Sequence, residues 1–216
     1  MDKGVDIISM SWTIDSNDSN KVEIAELEKA IDAAAQENIL MFCAATDQGA
    51  YRDQSYPAAA GTKRLFKIGA AQASGAAPTW LGDPAHVDFI FPGHQVVYER
   101  HGDPAAKQIT ALTGSSVATA LAAGLAALVL YVVQAGAFYR DRAKPAVGLD
   151  DFRALKNHER MDEAFRMMGT TKESEHRYIT VWNRFSKTVR KSEGALARDM
   201  WMDLVVSLAE SLMREE

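Results

Sequence analysis

Val5–Ser11 reads VDIISMS, Val22–Gln36 reads VEIAELEKAIDAAAQ, and Ile39–Ala45 reads ILMFCAA; these three runs decide the fold. The first and third are short apolar runs between polar neighbours, the pattern of buried strands. In the second, Leu27, Ala30, Ile31 and Ala34 recur at helical spacing among Glu and Lys, which predicts an amphipathic helix with one face for a sheet. Thr13–Asn20 (TIDSNDSN) is a polar loop, and Ser19 or Asn20 is the expected helix cap. Strand, helix and strand in this order make a βαβ unit and imply a parallel sheet.

Outward from that unit, Leu65–Ala71 (LFKIGAA), Val87–Phe91 (VDFIF) and Val96–Glu99 (VVYE) read as further strands. Val117–Tyr139 (VATALAAGLAALVLYVVQAGAFY) is uncharged and long enough to span a bilayer. Its Ala and Gly content and Gln134 favour a helix buried inside an α/β domain; Arg140 and Arg142 give only a weak basic flank for a spanning one. Beyond Gly148 charged residues become frequent, and Asp151–Met168 and Ala195–Met213 read as amphipathic helices. In the second, Leu196, Met200, Leu204, Leu208 and Leu212 repeat every four residues beside Trp201 and Val205, a stripe for core or subunit packing or for a protein partner of the tail. The expected fold class is α/β, a three-layer domain with a mainly parallel sheet over residues 1–147, followed by an α-helical extension over 148–216.

Composition excludes several functions. The 216 residues are 47% hydrophobic and 25% charged, an ordinary globular balance. A net charge of -5 argues against a nucleic-acid partner, which needs clustered Lys and Arg. The single cysteine, Cys43, permits neither an intrachain disulfide nor a Cys-rich zinc site and suits a buried structural role. With no apolar signal core at Met1–Asp6, a cytoplasmic location is the expectation. No phosphate-cradling or dinucleotide motif is present, so no cofactor is expected. Asp15 and Asp18 are read as solvated loop acids rather than metal ligands.

Chemistry is concentrated in Leu112–Gly124 (LTGSSVATALAAG), where a glycine turn delivers two serines to the start of the long apolar helix. A hydroxyl there lies at the positive end of the helix dipole, where developing negative charge is favoured. Alone, Gly-Ser-Ser before a helix is usually a cap. In context it resembles the nucleophile motif of the subtilisin-like (S8) serine peptidases, G-T-S-M-A-x-P-x-V-A-G. Gly114-Ser115-Ser116-Val117-Ala118 and Ala123-Gly124 match in register. Lys3–Ser11 looks like the family's strand ahead of the substrate groove, and Ala44–Gly49 (AATDQG) looks like its A-A-G-N-x-G segment. Tyr56-Pro57-Ala58, Ile68-Gly69-Ala70 and Phe91-Pro92-Gly93 fall where the family carries Y-P-A, V-G-A and A-P-G.

The resemblance, over Met1 to Val133, implies that Ser116 is the nucleophile and that Asp47 holds the oxyanion position. It also implies that Ser11, Trp12, Thr13, Ala44, Ala45 and Thr46 line the substrate. The departures are as informative. The family's catalytic Asp and His precede the strand at Val5, so this chain alone is expected to have little or no activity unless an upstream peptidase segment is supplied. A fragment of that kind is also expected to expose an apolar patch. His86, His94, His101, His158 and His176 all lie downstream, and His94 and His101 read as surface-loop residues. Asp47 stands where the family has an amide donor, and an ionised carboxylate repels an oxyanion. Thr13 and Thr46 replace glycines and imply a narrowed pocket; Ala120 replaces a proline. Three readings follow: a serine endopeptidase acting on a polypeptide, a degenerate peptidase fold for protein–protein interaction, and a membrane-anchored protein using residues 117–139.

Overall fold

The computed structural model describes residues 4–49, 55–98, 110–139, 147–172, 175, 177–191 and 198–213. The first half contains β1 (Ile7–Met10), β2 (Ile14–Asp15), α1 (Lys21–Gln36), β3 (Leu40–Ala44), β4 (Ser55–Tyr56) and β5 (Leu65–Ala71). Then come β6 (Phe89–Pro92), β7 (Val96–Tyr98), β8 (Thr110–Leu112), α2 (Ser115–Phe138), α3 (Leu149–Ala154), α4 (His158–Met167), α5 (Trp182–Lys191) and α6 (Arg198–Met213). A parallel sheet of four strands in the order β1-β3-β5-β6 forms the middle layer. Two small antiparallel pairs, β2 with β4 and β7 with β8, flank it.

Side chains alternate across the sheet with the period of two that a strand imposes. From β3, Leu40 and Phe42 enter the core on one face, while Met41 and Cys43 enter the core on the other. The second face is covered by α1 through Ile31, Ala34 and Ala35. The first is covered by α2, whose Ala118, Ala122, Ala126, Val129 and Val133 are buried at helical spacing. Small residues at the start of that stripe let the helix lie close to the strands. These three layers are the α/β architecture expected from the βαβ pattern.

α2 is, among the described residues, the helix long and apolar enough to cross a membrane, and over half of its most apolar stretch is buried inside the fold. Leu121, Leu128, Tyr131 and Phe138 remain exposed on it.

The helical extension shares the α2 core. Phe165 of α4 has its ring 6.2 Å from Phe42, 6.0 Å from Phe66, 5.5 Å from Phe89 and 5.9 Å from Phe91. Leu208 and Leu212 of α6 are buried, and Ala209 packs so tightly on α2 that a Cβ on Gly136 would stand 2.9 Å from its methyl. Leu196 lies outside the described residues. Residues beyond α4 also protect the sheet edge: Ile90 N–H donates to the Arg177 carbonyl at 3.0 Å, and Arg177 donates to the Val87 carbonyl at 2.9 Å.

The expected helix over 151–168 is interrupted. Asn157 adopts extended backbone, and its side chain accepts from Glu159 N–H at 2.9 Å, so it starts α4 afresh. Asn20 does occupy the cap position of α1, but without a side-chain cap bond. Its Oδ1 accepts from Asn17 N–H at 2.8 Å and its Nδ2 donates to the Asp15 carbonyl at 2.9 Å, which braces the loop instead.

Candidate active site

The carboxyl ends of β1, β3, β5 and β6 converge on the first turn of α2. Gly114 precedes that turn with φ of 143°, a backbone few other residues adopt, and its N–H donates to the Gly93 carbonyl at 2.7 Å. A Cβ on Gly93 would lie 2.6 Å from the Ala70 Cβ and 2.9 Å from the Gly114 carbonyl oxygen. Both glycines are therefore demanded by the close approach of the β6 end, β5 and the turn.

The two serines that follow have opposite environments. Ser115 is fully buried; its Oγ accepts from Ala70 N–H at 3.1 Å, and its carbonyl accepts from Thr119 Oγ1 at 2.8 Å. Ser116 is half-buried, and its carbonyl accepts from Ser11 Oγ at 3.0 Å, which ties the end of β1 to the helix start.

Asp47 reaches the same turn from the β3–β4 connection. Its Oδ2 accepts from Ser115 N–H at 2.9 Å and its Oδ1 accepts from Ser115 Oγ at 2.6 Å. The point that a Cβ on Gly114 would occupy is 3.1 Å from Ser116 Oγ and 3.2 Å from Asp47 Oδ2, so both polar atoms border one small space. The carboxylate is an acceptor here, not the donor that an oxyanion requires.

Ser11, Trp12 and Thr13 are exposed beyond β1, with Trp12 at 42%. Ala44 and Ala45 are buried, so any contact that they make with a ligand is through backbone. Thr46 is half-buried; its methyl would lie 2.7 Å from a Cβ on Gly82, and its carbonyl accepts from Gly82 N–H at 2.9 Å. The bulk that Thr46 adds is thus taken up partly by Gly82. Away from this turn, Asp15 accepts from Ser55 Oγ at 2.6 Å and Asp18 pairs with Lys21.

A parallel sheet whose strand ends surround a glycine turn and a serine-headed buried helix agrees with the family comparison. The subtilase family (peptidase S8) model matches residues 1–144. The chain belongs to the subtilase family. None of the curated proteins matches its sequence. Among solved structures it resembles the prenylagaramide maturation protease PagA, with 20% identity and a TM-score of 0.54, over 83% of this chain and 61% of that one. The protease domain of PatA, solved as a serine-to-alanine mutant, gives 19% and 0.56 over 88% of this chain and 62% of that one. A lanthipeptide protease gives 18% and 0.55 over 83% and 60%. This subtilase therefore spans about three-fifths of the length of those structures.

Three histidines lie among the described residues of the subtilase. His86 is exposed and sits 3.1 Å from Asp83. His158 stacks on Phe66 with ring centroids 4.0 Å apart. Phe66 lies four residues up β5 from Ala70, about 13 Å at ~3.3 Å per residue, so His158 belongs to the far end of the sheet. Burial lowers the His158 pKa, opposed by the charges of Asp88, Asp162 and Glu159, while Arg64 adds to the lowering. Burial raises that of Asp88, although Lys67 N–H donates to its Oδ2 at 2.7 Å.

His94 follows Gly93 directly, is half-buried, and has its ring 6.2 Å from Trp80. It is therefore less exposed than a surface loop implies. His101 and His176 lie outside the described residues. Gly82, Gly93, Ala70 and Thr119 are the site residues that sequence reasoning did not single out. Ala70 and Gly93, within the Ile68-Gly69-Ala70 and Phe91-Pro92-Gly93 matches, carried a signal.

Proposed function

We propose that this subtilase is a serine endopeptidase unit in which Ser116 is the nucleophile. The observation that carries the reading is the contrast between the adjacent serines. Ser115 is locked inside the fold, whereas Ser116, second in α2, is half-open, with its carbonyl held by Ser11. In the reaction Ser116 Oγ attacks the scissile carbonyl carbon and passes its proton to a general base. The tetrahedral intermediate then expels the amine, which takes that proton, and water releases the acyl group. At the second helical position the Ser116 N–H has no intrahelical acceptor and supplies an oxyanion donor. A peptide strand would lie along Ser11–Thr13, beside the exposed Trp12.

The base and its orienting acid are assigned to a peptidase segment outside the described residues, since His158 and His86 are placed elsewhere and His94 sets its ring beside Trp80. That segment is a partner of this chain, as is a polypeptide substrate. One observation favours a second reading, a peptidase fold retained for protein–protein contact: Asp47 puts a carboxylate beside the space where an oxyanion would form.

Labelling with a fluorophosphonate probe separates the two, run on the chain alone and with an added subtilase segment carrying Asp and His. The endopeptidase reading expects labelling of Ser116 after complementation and none in Ser116→Ala. Absence of labelling in a folded, complemented protein would favour the contact module.

A further inference from the structure

Every polar backbone and side-chain group of Ser115 is engaged, and the carboxylate of Asp47 takes two of the hydrogen bonds. The residue ahead of the helix, Gly114, has no side chain to cap it, and no side-chain cap bond is made there. Its φ of 143° and the crowding by Ser116 Oγ and Asp47 Oδ2 bar a larger residue. Asp47 fills the role from a distant loop: its Oδ2 and Oδ1 lie 2.9 and 3.3 Å from the Ser115 nitrogen. The Ser115 hydroxyl donates to Asp47 Oδ1, while its Oγ accepts from Ala70 N–H. A carboxylate at this helix end is favoured by the helix dipole and by charge-assisted hydrogen bonds.

We propose that Asp47 is a positioning residue that braces the Gly114–Ser116 turn through Ser115 and thereby restrains the reactivity of Ser116. The brace fixes the nucleophile turn by capping α2 from outside. It also holds the Ser115 hydroxyl proton away from the cleft and sets a negative charge where the oxyanion would grow. Order at the turn is gained at the expense of electrostatic support for the transition state. The restraint on Ser116 rests on the endopeptidase reading; the brace does not.

The brace is tested by backbone amide NMR of the full chain, with no need for activity. In the parent protein the Ser115 amide, donated to the Asp47 carboxylate, should be protected from exchange. Amide exchange at Ser115–Ala118 should accelerate at least tenfold in Asp47→Ala. It should stay near the parent rate in Asp47→Asn, whose carbonyl still accepts the amide. A Ser115 amide that exchanges freely in the parent protein would overturn the brace even if Asp47→Ala fails to fold, as would unchanged exchange in Asp47→Ala.

The restraint is read in the complemented protein as the fluorophosphonate labelling rate at Ser116. Asp47→Asn should raise it, and an unchanged or lower rate would overturn the restraint. No labelling in parent or variant overturns the endopeptidase reading, and the restraint with it, while leaving the NMR result for the brace intact.

Discussion

Two helices of this subtilase begin with a residue that buries polar atoms, and the two are treated in opposite ways. Ser115, first in α2, has its amide, hydroxyl and carbonyl all satisfied, by Asp47, Ala70 and Thr119. His158, first in α4, lies against Phe66, and its Nε2 is buried with no hydrogen-bond partner. The contrast follows the sheet: the carboxyl ends of the strands carry a polar network that fixes one geometry, and the opposite end relies on aromatic packing that tolerates an orphan nitrogen. Complete networks specify a structure; a solitary buried polar atom costs stability and makes it depend on pH.

The largest expected effect lies at the aromatic end. Phe165→Ala removes the ring that touches four sheet phenylalanines and should cost about 3–5 kcal/mol, measured by denaturant unfolding. A cost under about 1 kcal/mol would mean that α4 contributes little to the core. Next is Ser115→Ala, which leaves Ala70 N–H unpaired in the interior and deprives Asp47 of a donor. It should cost about 2–4 kcal/mol, and Ser115→Thr should recover most of that. A neutral Ser115→Ala would erase the contrast between the two ends.

Much of this contrast was already legible in the chain. The parallel sheet, its helix crossover and the burial of α2 follow from apolar runs and helical spacing, because parallel strands and a covered helix need apolar residues on several sides. The Gly-Ser-Ser motif located the turn. What it could not reveal was the division of labour between the serines, which depends on Asp47 approaching across a gap of 68 residues. The break at Asn157 was hidden because apolar spacing continues through it, and α5 was passed over although Trp182, Phe185 and Val189 stand at helical spacing, because its run is only ten residues long. The bulk of Thr46 was legible, but the packing of its methyl beside Gly82 is a pairing that no local pattern encodes.

The smallest effect concerns His158. Its pKa is lowered on folding, so between the folded and unfolded values the unfolded chain binds more protons and stability rises with pH. That contribution is fully present above the unfolded value of about 6.5 and declines as the pH falls below it. Asp88 acts in the reverse sense: its raised pKa favours the protonated form in the fold, which offsets part of the acid loss. His158→Phe should therefore leave stability at pH 7 unchanged or higher and flatten its fall toward pH 5. Asp88→Asn should steepen that fall. Both are read from unfolding midpoints across the pH range; an unaltered slope in His158→Phe would remove the histidine from the account.

The central claim is that the second serine of the pair, not the first, reacts. Peptide mapping by mass spectrometry of the fluorophosphonate adduct, formed on the complemented protein, addresses it directly. The account expects the added mass on Ser116, with Ser115 unmodified; an adduct on Ser115, or on another serine such as Ser11, would contradict it.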